Sequence, residues 1–368
     1  MKLKYTKKEK KFIDKDFKKM CVNYKYTPSI LPACDRIVVF GDIHGDLKLT
    51  IEFLTQSNVA SYDYGTKKAT WTGGRTCCVQ VGDQVDRCRF TSGDLTCNNP
   101  NTTLNDEAND IVIMELFNDL NIQAQKVGGN VISLLGNHEL LNAMGHMEYV
   151  SYLGIKQFDN YIDPKNPSKK YVNGQEARIH AFKPGNEYGM MMGCTRYPAV
   201  IVGSHLFVHA GIIDALIDEL SIKNIKDIEK INIKIKRWLM GTLSQKYVDD
   251  IIQYSENSMF WSRLLGKIPP NTPMTDHICL DNIQNVLKLF KVGSIIVGHT
   301  PQSFIENADI NGTCDNKVWR VDTGASSAFD IWDKDNKYKH NRRMQYLEII
   351  NDTKFFVCDS IGCKKEIL

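Results

Sequence analysis

The sequence predicts an α/β fold, a β-sandwich flanked by helices with its functional residues gathered at strand ends. Three observations carry that expectation. Five short apolar or β-branched runs each stop at a polar signature, as buried strands do when they deliver side chains from their ends. A stretch of helical periodicity separates the second run from the third, which makes a strand-helix-strand unit. The 368 residues are 42% hydrophobic and 24% charged, ample apolar material for the core of one large domain or two small ones.

Residues 1–30 read as a basic N-terminal arm, 31–360 as the main domain and 361–368 as a C-terminal tail. Ten lysines from Lys2 to Lys25 face only Glu9, Asp14 and Asp16, so most of the arm's charge is positive while the net charge of the whole chain is only +3. That balance excludes a generic nucleic-acid binder. The arm is expected as a solvated helix or frayed terminus, with an electrostatic tether to an anionic partner as the alternative.

The strands follow in order. Arg36 to Phe40 runs into Gly41-Asp42-Ile43-His44-Gly45-Asp46, and Cys77 to Val81 into Gly82-Asp83-Gln84-Val85-Asp86-Arg87. Asp106 to Gln125 reads as a helix, with Ile111, Met114, Phe117 and Leu120 at three-residue steps and Thr103 and Asp106 offering a capping box. Val131 to Leu135 meets Gly136-Asn137-His138-Glu139, Leu206 to Val208 meets His209-Ala210-Gly211, and Ser294 to Val297 meets Gly298-His299-Thr300. Glycine ahead of a functional residue is expected to let the backbone turn sharply. The polar stretches Asn98 to Asn105 and Asp163 to Asn173 read as loop insertions.

No charged-then-apolar leader opens the chain and no apolar run reaches membrane-spanning length, so an intracellular, cytoplasmic protein without a transmembrane segment is expected. Abundant Lys, Ile and Asn point weakly to an AT-rich source such as a large DNA virus, in which case the site of action would be host cytoplasm or virion. Eleven cysteines are many. Cys77 and Cys78 are adjacent, the total is odd and no CxxC occurs, so reduced thiols are expected rather than a zinc ribbon or disulfide framework.

The chemistry lies in the strand-end residues. Asp42, His44, Asp83, Asn137, His209 and His299 are oxygen and nitrogen donors without thiolate, a set suited to Mn, Fe or Zn. A carboxylate shared by two cations can help them activate water, polarise a phosphoryl group and neutralise developing charge. One such residue alone is usually a turn former or a satisfied core group. Five strand ends offering the same chemistry point to a metal site.

The ordered set GDIHGD, GDQVDR, GNHE, HAG and GHT resembles the phosphoprotein phosphatases of the calcineurin-like metallophosphatase superfamily. More narrowly, Leu134 to Glu139 continuing to Met147-Glu148-Tyr149-Val150, Lys183-Pro184-Gly185, and Val318 to Gly324 resemble its Shewanella-like branch. The resemblance implies a metallophosphatase catalytic domain hydrolysing phosphomonoesters, with a phosphoprotein or phosphopeptide as substrate and a metal-activated water as nucleophile. It makes Asp42, His44 and bridging Asp83 ligands of one metal, with Asp83, Asn137, His209 and His299 on the other. It also makes His138 the general acid, oriented by Asp86, and Arg87 a grip on phosphate oxygens. Arg263 is expected as a second phosphate clamp, and Glu139 as support for the ligands. The alternatives are a dinucleoside-polyphosphate hydrolase of the same superfamily and a catalytically inactive, phosphatase-derived binding protein.

Two positions depart from the family pattern. Cys88 stands where a glycine usually follows the DR pair, placing a thiol beside the expected phosphate pocket, and Ala210 interrupts the usual HGG. His146, His180, His205, His277 and His340 match no ligand position, and Met190-Met191-Met192 reads as packing. Arg178 is a weaker candidate for the active-site rim.

Overall fold

The computed structural model describes residues 6–90, 96–333 and 341–365. His340 and the first five residues, with Lys2 and Lys4, lie outside them. Two sheets face each other. One has seven strands in the order Cys363–Lys365, Lys354–Cys358, Tyr346–Ile350, Arg36–Phe40, Cys77–Gln80, Asn130–Leu134 and Arg196–Tyr197. The other has six: Ile30–Leu31, Ala199–Val202, His205–Val208, Ser294–Val297, Val318–Arg320 and Asn311–Thr313.

Strand alternation explains the layering, because consecutive side chains leave opposite faces of a sheet. Ile37, Val39, Val79, Ile132 and Leu134 point inward and meet Val200, Phe207, Ile296 and Trp319 of the second sheet. Val38, Phe40 and Val131 point outward, where Phe53 and Leu54 of the Leu47–Gln56 helix and Phe117 and Leu120 of the Asp110–Lys126 helix cover them. On the far side, Leu206, Val208, Ile295 and Val297 are covered by Ile235 and Trp238 of the Asp227–Leu239 helix and Val286 and Phe290 of the His277–Phe290 helix. The result is helix, sheet, sheet, helix. Both faces of each central strand are buried, which is why these runs read as continuous apolar stretches.

The expected helix starts four residues later than its sequence suggests, at Asp110, and Asn109 makes no capping bond from its side chain. Thr103 and Asp106 do not form the capping box. The Asp106 carboxylate instead accepts the Leu153 backbone N–H at 2.8 Å, a long-range bond that competes with local capping.

The described part of the basic arm is a helix with a solvated lysine face, but its apolar side is packed rather than frayed. A π-helical stretch, Phe12–Phe17, interrupts the helical segment Lys7–Met20. Its wider turn brings residues five apart toward one face, where an α-helix would splay them. Phe12 and Phe17 thereby both pack against Cys194, Ile233 and Met240, while Lys7, Lys8, Lys10, Lys11, Lys15, Lys18 and Lys19 stay exposed. A Cys21–Cys194 disulfide closes the contact. At the other end, the expected tail is partly strand: Phe356 to Cys358 pair antiparallel with Cys363 to Lys365.

The reduced-thiol expectation is overturned. Ten of the eleven cysteines pair, as Cys21–Cys194, Cys34–Cys77, Cys88–Cys97, Cys279–Cys314 and Cys358–Cys363. Adjacency of Cys77 and Cys78 was no obstacle, since alternation sends Cys77 to the inter-sheet core and Cys78 to the opposite face, where it is free and buried. Partners up to 173 residues apart leave no spacing signature. Thiol titration of unreduced protein should therefore find one reactive thiol in denaturant, Cys78, and none under native conditions. A count near eleven without reductant would show the pairings to be absent.

A candidate dinuclear metal centre at the strand ends

Parallel pairing of Arg36–Phe40 with Cys77–Gln80, and of Cys77–Gln80 with Asn130–Leu134, brings three signatures to one rim of the first sheet. Parallel pairing of His205–Val208 with Ser294–Val297 brings two more to the second. Backbone bonds then knit the loops together. Ile43 and His44 both donate their N–H groups to the Asp83 carbonyl, at 3.0 and 2.9 Å, and Gly298 donates to the His209 carbonyl at 2.8 Å.

His44, Asp83, Asp86 and His299 all have left-handed backbones, with φ of 49°, 54°, 71° and 64°. Each such residue costs about 1–3 kcal/mol and persists only where its surroundings hold it. The glycines do something other than expected. At Gly82, φ is +103°, so chain freedom is needed there, but a Cβ on Gly136 would lie 2.0 Å from Asp83 Oδ1 and one on Gly298 would lie 2.3 Å from Asp42 Oδ1. Those two glycines make room for carboxylates.

Asp83 is the hub. Its Oδ2 lies 3.3 Å from His209 Nε2, 3.8 Å from His44 Nε2 and 3.9 Å from His138 Nε2. Asp42 Oδ2 is 4.0 Å from His44 Nε2, and Asn137 Oδ1 is 2.9 Å from His209 Nε2. Ligand atoms of Asp83, His209 and His299 lie within 4.8 Å of one another, as do those of Asp83, His44 and His138. The six residues expected as ligands thus converge. The Val81 carbonyl stands 2.9 Å from His209 Nδ1 and the Val85 carbonyl 3.2 Å from His44 Nδ1, so Nε2 of each ring is the atom left for a metal. Glu139 is a clamp on the backbone, accepting N–H bonds from Asp83, Gln84 and Gly136 at 3.0, 2.7 and 2.6 Å.

Asp42, Asp83, Glu139 and Asp322 are all buried. Burial, reinforced by Asp322 and Asp83, pushes the Asp42 carboxyl well above its usual range. Burial likewise raises Asp322, to about 6, and its Oδ2 has no hydrogen-bond partner among the described residues. Burial would also raise Asp83, but the neighbouring histidines, His209 foremost, outweigh it and hold that carboxyl well below the ordinary value. Burial pushes His44 and His299 well down, leaving neutral imidazoles. Clustered buried carboxylates with neutral imidazoles and an unsatisfied oxygen are the donor set that cations satisfy, and two groups sharing Asp83 suit a pair of them.

Beside this cluster, His138 Nδ1 lies 2.8 Å from Asp86 Oδ2, and Asn142 donates to Asp86 Oδ1 at 2.8 Å. Arg178 completes the support, 2.7 Å from Asp110 and 3.7 Å from Asp86. It is fully buried and so is no part of a rim. His138 Nε2 faces a cleft of about 820 Å³ whose lining includes Arg89, Phe90, Tyr149, Arg263 and Phe329.

Arg263 stands where expected, exposed on the cleft wall with its guanidinium on the His299 carbonyl at 2.7 Å. Arg87 does not. It is absent from the cleft lining; its guanidinium lies 3.4 Å from Asp46, 3.7 Å from Glu107 and 3.0 Å from the Asn105 carbonyl, and its Nε and Nη1 have no hydrogen-bond partner among the described residues. The Cys88 thiol is also gone, taken up in the bond to Cys97. His146, His180, His205 and His277 line no part of the cleft. Two residues escaped sequence reading. Asp322 follows an apolar strand in the same way as the other signatures, so the strand-then-acid pattern could have found it; Arg89 had no such signal.

Residues 35–303 match the calcineurin-like phosphoesterase family, and the chain belongs to it. It is therefore a hydrolase of the metallophosphoesterase superfamily, whose centres are dinuclear. The chain is 38% identical over 259 residues to an uncharacterized protein of Acanthamoeba polyphaga mimivirus, covering 67% of this chain and 99% of that one. It is 26% identical over 321 residues to Shewanella-like protein phosphatase 2 of Arabidopsis thaliana, covering 79% and 72% respectively, in keeping with the branch resemblance. A solved cold-active protein tyrosine phosphatase shares its fold with a TM-score of 0.64 at 18% identity, covering 94% of this chain and 82% of that one.

Gly136→Ala tests the centre's steric logic. The Gly136 backbone, φ −101° and ψ −179°, suits any residue, so only the collision with Asp83 is introduced. The variant should fold yet bind less metal than the parent by elemental analysis after dialysis. Full metal content would mean that Asp83 is not held where the structure puts it.

Proposed function

We propose that the chain is a phosphoprotein phosphatase that releases inorganic phosphate by direct attack of water on a phosphomonoester. The observation that carries this reading is the convergence at one cleft of Asp42, His44, Asp83, His209 and His299 around the shared Asp83, with His138 beside them held by Asp86. Asp42, His44 and Asp83 would hold one metal, and Asp83, Asn137, His209 and His299 the other; Mn, Fe or Zn fits such oxygen and nitrogen donors. When bound, the pair supplies Lewis-acid polarisation and a nucleophile at neutral pH. The chain does the rest. His138 donates the proton from Nε2 to the leaving oxygen, while Asp86 fixes the ring through Nδ1. Arg263 holds phosphate oxygens at the cleft wall.

Protein substrates are favoured because two relatives, in Arabidopsis thaliana and in Plasmodium berghei, are named protein phosphatases. A panel of phosphoserine, phosphothreonine and phosphotyrosine peptides, assayed beside dinucleoside polyphosphates with Mn, Fe and Zn separately, tests this. Release of phosphate from peptides alone is the expected result. Turnover of dinucleoside polyphosphates alone would overturn the protein-phosphatase reading.

Two substitutions separate the roles. Asp83→Asn removes the shared negative charge, so metal content and rate should fall together in a metal titration after chelation; two tightly held metals with normal turnover would unseat Asp83 as the bridge. His138→Asn should keep both metals. Its rate loss should reach about 10²- to 10⁴-fold on a phosphoserine peptide, whose alkoxide leaves poorly, and be visibly smaller on nitrophenyl phosphate. Equal losses on the two substrates would rule out proton donation.

A further inference from the structure

We propose that Lys267 selects substrates that carry a carboxylate side chain two positions from the phosphorylated residue. The inference rests on the phosphatase reading above and gives it a substrate class, the acidic phosphopeptide. Outside the candidate ligands, the charged side chains lining the cleft are Arg89, Arg263 and Lys267 against Glu256. A wall with that excess of positive charge favours a substrate whose negative charge extends beyond the phosphate itself.

The turn that carries Lys267 is fixed in place. Arg263 precedes a single helical turn, Leu264–Lys267, and the Lys267 N–H donates to the Arg263 carbonyl at 3.0 Å. On either side of Lys267, Leu265 and Ile268 are buried in the core. A Cβ on Gly266 would lie 2.3 Å from Thr300 Cβ, so the turn is seated directly on the loop that presents His299. The buried Arg320 guanidinium donates to the Leu265 and Ile268 carbonyls at 3.2 and 2.6 Å, and the Gln302 side chain donates to the Gly266 carbonyl at 3.0 Å. Lys267 itself is exposed on the cleft wall, and among the described residues no carboxylate lies within ion-pair distance of it. Its backbone is held while its ammonium is left to meet an incoming anion.

Spacing then fixes which substrate residue it meets. Side chains four apart on a helical turn stand about 5–6 Å from each other at Cβ. Those two apart on an extended peptide leave the same face about 6.7 Å apart. A peptide lying extended along this wall with its phosphorylated residue toward Arg263 therefore brings its second neighbour to Lys267. The ammonium is a compact point charge and places no demand on carboxylate orientation, so Asp and Glu both suit it.

Phosphoserine and phosphotyrosine peptides with Glu, Ala or Lys at the second position on either side of the phosphorylated residue provide the test. The metal-loaded parent should prefer Glu over Ala about two- to fivefold at one of the two positions, the range of a solvent-accessible ion pair. The preference should lie in KM rather than kcat and shrink with added salt. Lys267→Ala should abolish it, and Lys267→Glu should invert it in favour of Lys, an inversion that damage to the cleft wall cannot produce. Melting temperatures are recorded for both variants. A parent that cleaves the peptides without preference at either position, or a preference that survives in both variants, overturns the assignment and leaves the phosphatase reading standing. If the parent releases no phosphate from any peptide, the same peptides are compared by fluorescence anisotropy on the metal-loaded chain. A Glu preference in binding that inverts in Lys267→Glu then keeps the assignment while the phosphatase reading falls, and equal binding of all peptides overturns both.

Discussion

The structure depends on keeping the Asp83 carboxylate buried beside Asp42 and Asp322 in one crowded corner. Like charges in low dielectric repel and each loses its hydration, which is why burial drives Asp42 and Asp322 toward their protonated forms. Asp83 escapes that fate because histidine neighbours, His209 foremost at 3.3 Å, hold it ionised. Much of the nearby architecture serves this arrangement: two glycines whose missing side chains leave space for carboxylate oxygens, a glutamate that collects three backbone N–H groups, and four left-handed residues held by neighbouring loops.

Around the corner runs a line of charge from the cleft to the outer helix layer. His138 leans on Asp86, Asp86 on Asn142, and Arg178 joins Asp86 to Asp110 on the helix that crosses between two site strands. Phe158 and Phe182 flank the guanidinium of Arg178 at 5.5 and 4.8 Å from their ring centres. Such a buried network stabilises little by itself, since desolvation offsets most of the attraction, but it confines His138 to one orientation. The proton-donor role proposed for His138 needs that confinement more than it needs stability.

Disulfides extend the same principle to the periphery. They tie the N-terminal helix to the body, pin the loop that carries Arg89, and join the His277–Phe290 helix through Cys279 to Cys314 in the turn after the Asn311–Thr313 strand. Among the described residues, no helix is long and apolar enough to cross a membrane.

The sequence by itself determined the strands and the metal-ligand candidates, because a strand buried on both faces must be apolar along its length and a ligand must be a donor residue where that strand stops. Arg36–Phe40 and Ser294–Val297 could be read to the residue, and Asp42, His44, Asp83, Asn137, His209 and His299 with them. Family resemblance supplied the roles proposed for His138 and Asp86. Only the tertiary structure decided which arginines line the cleft, which cysteines meet, and why two glycines are needed. Each of these turns on distances between segments far apart in the chain: Arg87 meets Asp46 and Glu107, Cys21 finds Cys194, and Gly298 yields to a carboxylate from Asp42. Local pattern records which residues a segment will bury; it holds no record of the partners that wait on the other side.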